Sequence, residues 1–182
     1  YLRVASDGRV FIGVRDPDNG EGTATSLARI IAEEMDADWS RVVVEPLGFG
    51  VTVDNDKAKF LYGHQRSGDA TSIPAAWADL RQAGALARWL LLQAAARRLG
   101  VPADQLRGEN GMAVAADGRR ISYADLAATA AEVEAPTTPP PLKAVERYQL
   151  IGQPAGDVDA RAVVTGSLAY ACDDNIGDPV IA

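Results

Sequence analysis

The stretch VFIGVRDPDNGEGTATSLARIIAEEMDADWSRVVVEP, residues 10–46, decides the fold of the first part of the chain. Its apolar run Val10–Val14 lies between turn-forming residues, which predicts a strand. After Gly22, apolar side chains recur every three or four residues as far as Met35, which predicts a helix. The β-branched residues of 41–46 then predict a second strand that stops at a proline. The chain therefore opens as a β-α-β unit.

Beyond this unit the sequence predicts a long loop, a long helix, a hairpin and a short helix. Residues 47–72 are polar and interrupted by glycines, which indicates a long functional loop. A helix from Ser72 to Gly100 has apolar positions nearly all round, which indicates burial on more than one side. Asp117-Gly118 favours a hairpin turn, and Ser122 favours the cap of a short helix. The predicted fold class is α/β (α+β).

A proline-rich stretch predicts a boundary in the last third of the chain. Residues 136–141 include four prolines, which neither continue a helix nor lie inside a sheet. Beyond it, residues 148–151 and 162–170 have the apolar character of strands, whose partners are absent from the chain. The predicted parts are a domain at 1–135, a linker at 136–147 and an incomplete module at 148–182.

Charge and composition exclude several classes of function for this soluble chain. With 18 Lys+Arg against 25 Asp+Glu, the net charge of −7 disfavours nucleic acid as a partner. No apolar run reaches the roughly 18 residues of a membrane span. A single cysteine, Cys172, and a single histidine, His64, rule out a Cys-ligated or multi-histidine metal site within the chain. We interpret Cys172 as inert and His64 as a surface residue. We expect Arg81 and Arg88 on a solvated face.

Two glycine-rich corners precede the two long predicted helices. The first spans residues 18–23 and the second residues 67–72. Glycine lets the backbone approach a ligand closely, and the unpaired N–H groups of a first helical turn favour an anion. Together the corners suit one extended anionic cofactor. The candidate cofactor-binding residues are Gly20, Glu21, Gly22, Thr23, Gly68, Thr71 and Ser72.

The ordinary alternative is a tight turn and a helix cap at each corner, with Thr23 capping the first helix. The acidic residues Asp16, Asp18 and Glu21 also argue against a phosphate lying directly on the first corner. Both interpretations remain open from the sequence.

Several short motifs occur in an order that resembles a known family. They are Gly20-Glu21-Gly22-Thr23, residues 33–45, residues 80–85, Gly108-Glu109-Asn110-Gly111 and residues 150–154. Their order and spacing resemble the N-terminal part of the molybdenum-cofactor-binding large subunit of xanthine dehydrogenase/aldehyde oxidase-type hydroxylases, in particular the isoquinoline 1-oxidoreductase β-subunit-like branch. Residues 162–170 are similar to the entry into the α/β hammerhead module of that family. The chain is thus expected to be a piece of a longer subunit.

The resemblance implies a part of an enzyme that oxidises an aldehyde or N-heterocycle with oxygen taken from water. It also implies that the assembled enzyme holds molybdopterin cytosine dinucleotide, with the two corners close to the pterin. Electrons then leave through an iron–sulfur or haem partner subunit. The catalytic glutamate of the family has no counterpart in this chain, which implies that the isolated chain is inactive. The compartment, cytoplasm or periplasm, is left open.

Two residues depart from the family pattern. Glu21 stands where the family usually has Gln, and Asp69 stands where it prefers a small neutral residue. An ionised Glu21 accepts hydrogen bonds only, so either the cofactor contact differs, or a protonated Glu21 donates, or the site has degenerated. The alternative functions are a non-catalytic scaffold of such a subunit and a stand-alone anion-binding domain.

Overall fold

The computed structural model describes residues 2–48, 50–54, 57–63, 65–170, 173 and 177. His64, interpreted from the sequence as a surface residue, and Cys172, interpreted as inert, lie outside the described residues. No helix in the described ranges has the length and apolar content to cross a membrane. The α/β (α+β) fold class predicted from the sequence is confirmed, with small sheets packed against helices.

The β-α-β opening is present as predicted. Strands β1 (Leu2–Val4), β2 (Val10–Val14) and β3 (Val42–Pro46) form one sheet in that order. Strand β2 runs antiparallel to β1 and parallel to β3, and helix α1 (Thr23–Met35) makes the crossover between the parallel strands. A parallel pair needs such a connection, because a short turn can only reverse the chain.

Helix α2 (Ser72–Leu99) is the long helix that the sequence predicts, and it packs across α1. The contact is close at Gly84, where an added Cβ would lie 2.5 Å from the carbonyl oxygen of Ile31 and 2.7 Å from the Cβ of Glu34. A larger residue at position 84 must therefore push the two helices apart. Gly100 ends α2 in the left-handed conformation, with φ of 67°.

The predicted long loop at 47–72 contains a hairpin that the sequence analysis missed. Strands β4 (Val51–Asp54) and β5 (Lys57–Phe60) pair antiparallel. The side chain of Gln65 closes the base of the hairpin, because its Oε1 accepts from the Gly50 amide at 3.0 Å and its Nε2 donates to the carbonyl of Gly48 at 3.3 Å. Only a short alternation in the sequence signals these strands.

The predicted hairpin at Asp117-Gly118 joins two strands of a three-stranded antiparallel sheet. Its strands are β6 (Leu106–Glu109), β7 (Met112–Ala115) and β8 (Arg120–Ser122). Helix α3 (Tyr123–Ala131) follows directly, and Ser122 caps it by accepting from the Asp125 amide at 3.1 Å. Both sequence predictions in this region are confirmed.

The proline-rich segment packs against the helices of the preceding part of the chain. Its carbonyl oxygens accept hydrogen bonds from α2, at Pro140 from Gln82 Nε2 (3.2 Å) and at Pro141 from Arg88 Nη2 (3.0 Å). Lys143, which follows, is 95 % buried, since its relative exposure is only 5 %. The segment thus runs along α2 in a fixed position, while the domain boundaries stay a prediction.

Buried charges join this segment to α1 and α2. Lys143 Nζ donates to Glu33 Oε1 at 2.7 Å and to Asp36 Oδ1 at 2.5 Å, and its backbone amide donates to Glu34 Oε2 at 2.8 Å. Burial raises the pKa of Asp36. Burial also opposes ionisation of Glu33, but the hydrogen bonds from Lys143 and from backbone amides outweigh it, and the pKa of Glu33 is lowered.

Arg81 and Arg88 are not on a solvated face, contrary to the sequence prediction. Arg81 pairs with Glu34 at 2.6 Å, and Arg88 donates to the Glu34 carbonyl at 2.5 Å. Their side chains are only 13 % and 15 % exposed. The prediction failed because the acidic partner, Glu34, lies on α1. The seven-residue spacing of the two arginines along α2 does not indicate a partner on another helix.

The strands predicted at 148–151 and 162–170 are wrong. The first range forms a turn, and helix α4 (Ala160–Val164) occupies the start of the second. A strand needs a hydrogen-bonded neighbour, and in the described part of the chain neither range has one. The amides of residues 149–151 donate to the Glu33 carboxylate instead.

Candidate functional site

The two glycine corners meet in the folded chain. Ser67 Oγ of the second corner donates to Glu21 Oε1 of the first at 2.5 Å. The same oxygen accepts from Thr23 Oγ1 at 2.7 Å, and Oε2 accepts from the Asn19 amide at 2.7 Å. Residues 46 positions apart in sequence are thus joined through one carboxylate. The corners face a common space, which the sequence alone left undecided.

The Asp18 carboxylate accepts hydrogen bonds from the backbone amides of the first corner. Its Oδ1 accepts from the amides of Gly20 (2.8 Å) and Gly22 (3.3 Å), and its Oδ2 accepts from that of Ala24 (2.8 Å). Gly20 and Gly22 have φ values of 98° and 75°, a region that favours glycine. A carboxylate of the chain itself therefore takes the place that an anionic ligand would have at this helix start.

The capping role considered for Thr23 is not the one observed. Gly22, which has no side chain, is the N-cap residue of α1, and the Asp18 carboxylate accepts from the Ala24 amide in the first turn. The Thr23 hydroxyl donates to Glu21 instead.

The second corner keeps its helix start uncapped. Asp69 and Ala70 both have positive φ, 56° and 54°, and no side chain caps α2. Thr71 Oγ1 donates to the Gly68 carbonyl at 3.1 Å. Ser72, the first residue of α2, is only 7 % exposed. The first amides of α2 are available to a ligand.

Two clefts adjoin the corners. We call the first the corner cleft; it has a volume of about 370 Å³ and is lined by Asn19, Glu21, Thr23, Ser67, Gly68, Ala70, Ser72 and Ile73. The second, the wall cleft, has a volume of about 530 Å³ and lies between α1, α2 and residues 150–157. Glu21 borders both clefts, and Gly20 and Gly22 border the wall cleft. Of the seven candidate residues only Thr71 lines neither.

A polar stripe along α1 makes hydrogen bonds to residues 149–157, which form the outer side of the wall cleft. Thr25, Arg29 and Glu33, spaced four residues apart, lie along it. Thr25 Oγ1 donates to Asp157 Oδ1 at 2.9 Å, and Arg29 donates to the carbonyls of residues 150 and 153. Glu33 Oε2 accepts from the amides of residues 149–151 at 2.9, 2.6 and 3.0 Å. Sequence reasoning missed this role; the signal was three polar residues at helical spacing in a buried helix.

Glu21 is ionised in this setting. Hydrogen bonds from the hydroxyls of Ser67 and Thr23, and then from backbone amides, lower the pKa of Glu21 to about 2. The lowered pKa therefore disfavours the alternative in which a protonated Glu21 donates. The hydroxyls of Ser67 and Thr23 each donate their only proton to this carboxylate, so their oxygens can only accept further hydrogen bonds. The corner therefore presents hydrogen-bond acceptors to a ligand.

We expect the Glu21 carboxyl to titrate near pH 2 and not near its usual value of 4.5. Ser67→Ala removes the strongest hydrogen bond to the ionised form, so the midpoint should rise toward 4.5. NMR of the Glu21 side-chain carboxyl carbon against pH measures both values. Ser40→Ala, at a hydroxyl that contacts Asp38, serves as the control and should leave the midpoint unchanged. A midpoint near 4.5 in the unmodified chain would contradict the observed hydrogen bonds.

Relatives share much of this sequence. One subunit of a nicotinate dehydrogenase from Pseudomonas putida is 35 % identical over 95 % of the chain, which covers 14 % of that protein. The β-subunit of an isoquinoline 1-oxidoreductase from Brevundimonas diminuta is 38 % identical over 71 % of the chain and 16 % of that protein. A membrane-bound aldehyde dehydrogenase (pyrroloquinoline-quinone) from Gluconacetobacter polyoxogenes is 32 % identical over 97 % of the chain and 22 % of that protein. The chain thus spans about a seventh to a fifth of these relatives.

Solved structures share the fold. A quinoline 2-oxidoreductase from Pseudomonas putida 86 superposes with a TM-score of 0.50 at 18 % identity, covering 69 % of the chain and 15 % of that structure. A CO dehydrogenase from Oligotropha carboxidovorans superposes with a TM-score of 0.50 at 21 % identity, covering 78 % of the chain and 17 % of that structure. The family model of the molybdopterin cofactor-binding domain matches residues 1–172. The resemblance predicted from the sequence is therefore confirmed: the chain belongs to the molybdopterin cofactor-binding domain family.

Proposed function

We propose that the chain contributes part of the cofactor site in the large subunit of a molybdenum hydroxylase, and that the cofactor is molybdopterin cytosine dinucleotide. The observation that carries this proposal is the contact between Ser67 and Glu21, which joins the two glycine corners around the corner cleft. Separate corners would favour two unrelated helix caps. The family match supports the class of cofactor, and the cytosine dinucleotide form rests on the resemblance.

The residues of the corners fit the uncharged rings of such a cofactor better than its phosphates. A Cβ added at Gly20 or Gly68 would meet nothing within 4 Å, so the backbone at both corners is open to a flat ring. Phosphate would meet Asp18 and Glu21 at the first corner, where the chain's own carboxylates already take the amides. The start of α2 keeps its donors. We therefore assign the corners to ring binding.

The proposed reaction is the oxidation of an N-heterocycle or an aldehyde with oxygen taken from water. The bound cofactor supplies the redox chemistry, and the residues of this chain bind and orient it. The names of two relatives refer to nicotinate and isoquinoline, which favours an N-heterocyclic substrate. The proposed partners are the rest of the large subunit, or a companion chain, and an iron–sulfur or haem subunit that receives the electrons.

Molybdenum content of the complete subunit tests the proposal. The subunit that contains this chain is expressed with its partners, and molybdenum is measured by mass spectrometry together with the fluorescence of the released, oxidised pterin. Gly20→Val puts a side chain on the open side of the first corner, and we expect it to lower both signals at least roughly fivefold. Gly118→Val is the matched control, because Gly118 also has positive φ and an open Cβ position.

Three other outcomes would each overturn the proposal. Co-purification with partners but without molybdenum would favour a scaffold piece. Recovery of pyrroloquinoline quinone in place of a pterin would favour the cofactor in the name of one relative. Equal loss of molybdenum in Gly20→Val and Gly118→Val would show that the first corner has no specific part in holding the cofactor. A stand-alone anion-binding domain is disfavoured already, because Asp18 fills the helix start of α1.

A further inference from the structure

The β4–β5 hairpin has an apolar face. In its antiparallel register Val51 lies opposite Phe60, and Val53 lies opposite Ala58. Side chains that are directly opposed in an antiparallel pair lie on the same face, and so do alternate residues of one strand. These four apolar side chains therefore share one face of a two-stranded ribbon. We call this set of four residues the ribbon face.

The ribbon face is exposed in this chain. Val53 is 74 % exposed, Phe60 is 41 % exposed, and Ala58 is exposed as well. The other face of the hairpin is polar, with Thr52 opposite Lys59. Such alternation is typical of a sheet that packs on one side and meets water on the other. The hairpin therefore suits a covering surface on its apolar side, which the described residues do not supply at Val53.

The hairpin also lacks support within its own sheet. Among the described residues, β4 and β5 have no third strand beside them. The base of the hairpin is held by the Gln65 side chain and by the Leu61 amide, which donates to the Gly50 carbonyl at 2.7 Å. An isolated two-stranded hairpin is marginally stable in water, and packing of its apolar face stabilises it. Contact at the ribbon face is thus the interaction that the hairpin needs.

We propose that the ribbon face docks on an apolar surface of the same large subunit, in a part of that subunit outside residues 1–182. The chain covers only 14 % to 22 % of its relatives, so most of such a subunit lies elsewhere. A surface on the same polypeptide has a high effective concentration, which favours docking of a marginally stable hairpin. This inference rests on one part of the proposed function, namely that the chain is a portion of a longer subunit, and it does not depend on the cofactor.

A second copy of the chain fits the ribbon face less well. The chain has a net charge of −7, so two copies repel each other. All four residues of the ribbon face are uncharged, and no pair of opposite charges within the contact offsets this repulsion. An apolar surface on the same polypeptide meets no such penalty, because it is already joined to the chain.

Photo-crosslinking of the complete subunit, expressed with its partners, tests the inference. The photoreactive amino acid p-benzoylphenylalanine is incorporated in place of Val53, or in place of Thr52 as the matched control on the opposite face. The mass of the irradiated product distinguishes a crosslink within one polypeptide from a crosslink between two, and peptide mass spectrometry identifies the residues joined. From position 53 we expect crosslinks within the polypeptide to residues outside this chain, at about five times the yield from position 52 or more.

A charge on the ribbon face gives a second measurement on the same complete subunit. Val53→Asp puts a carboxylate into the proposed contact, where its desolvation opposes docking. Cleavage by chymotrypsin after Phe60 follows the population of undocked hairpin, and we expect Val53→Asp to raise its rate at least about tenfold. Thr52→Asp adds the same charge on the opposite face and should change the rate by less than about twofold.

Several outcomes would overturn the inference. They are a crosslink from position 53 to a second copy or to a partner subunit, a yield no higher than that of the control, and equal cleavage of the two Asp variants. Molybdenum is measured in the same preparations. Retained molybdenum without the expected crosslink means that this inference fails and the proposed function stands. The expected crosslink without molybdenum supports this inference and counts against the proposed function.

Discussion

We expect Lys143→Met to lower the free energy of unfolding by about 3 to 5 kcal/mol. Lys143 is the cation shared by Glu33 and Asp36, at 2.7 and 2.5 Å, and methionine matches its stem without its charge. The carboxylates of Glu33 and Asp36 then stay buried without the cation that offset their desolvation. Asp36 keeps only Arg88, at 3.8 Å, as an ion-pair partner among the described residues. Urea denaturation followed by tryptophan fluorescence measures the change.

Lys59→Met is the control for this prediction. Lys59 is exposed on β5, and its replacement should change the free energy of unfolding by no more than about 0.5 kcal/mol. A change of less than about 1 kcal/mol for Lys143→Met would mean that the buried network contributes little.

The second large effect is expected on truncation after Ala135. Removing the later residues deletes Lys143 and the three amides of 149–151 that donate to Glu33. The carboxylate of Glu33, a residue that is 1 % exposed in the intact chain, then loses all its described hydrogen-bond partners. We expect a loss of about 5 kcal/mol or more, comparable to the whole stability of a small domain. The fragment should lose cooperative unfolding.

A chain that ends at Tyr170 is the matched truncation, because it retains the proline-rich segment and the turn at 149–151. It should unfold at the same urea concentration as the intact chain. If the fragment that ends at Ala135 instead unfolds cooperatively at an unchanged midpoint, residues 136–147 are the independent linker that the prolines predicted. The two truncations therefore test the predicted domain boundary directly.

Local patterns predicted the elements whose signals are local. The strands β2 and β3, the helix α1 between them and the helix α2 follow from periodicity and terminal residues. Asp117-Gly118 and Ser122 gave the β7–β8 turn and the start of α3. Each of these features depends on residues a few positions apart.

Long-range contacts decided the elements that were predicted wrongly. The run at 148–151 looks like a strand, but the amides of residues 149–151 donate to Glu33, more than a hundred positions earlier. Arg81 and Arg88 looked solvated because Glu34, their partner, lies on another helix. A sequence pattern records what a residue is and not what the folded chain brings beside it.

For the candidate site, the sequence alone determined the two glycine corners, their positions before two helices and the family they belong to. Only the tertiary structure decided that the corners share one cleft, that Asp18 fills the first helix start, and that the pKa of Glu21 is lowered. The physical reason is that glycine and helix-start signals are properties of neighbouring residues. The charge state of a carboxylate and the sharing of a cleft depend on hydrogen-bond donors that folding delivers from elsewhere in the chain.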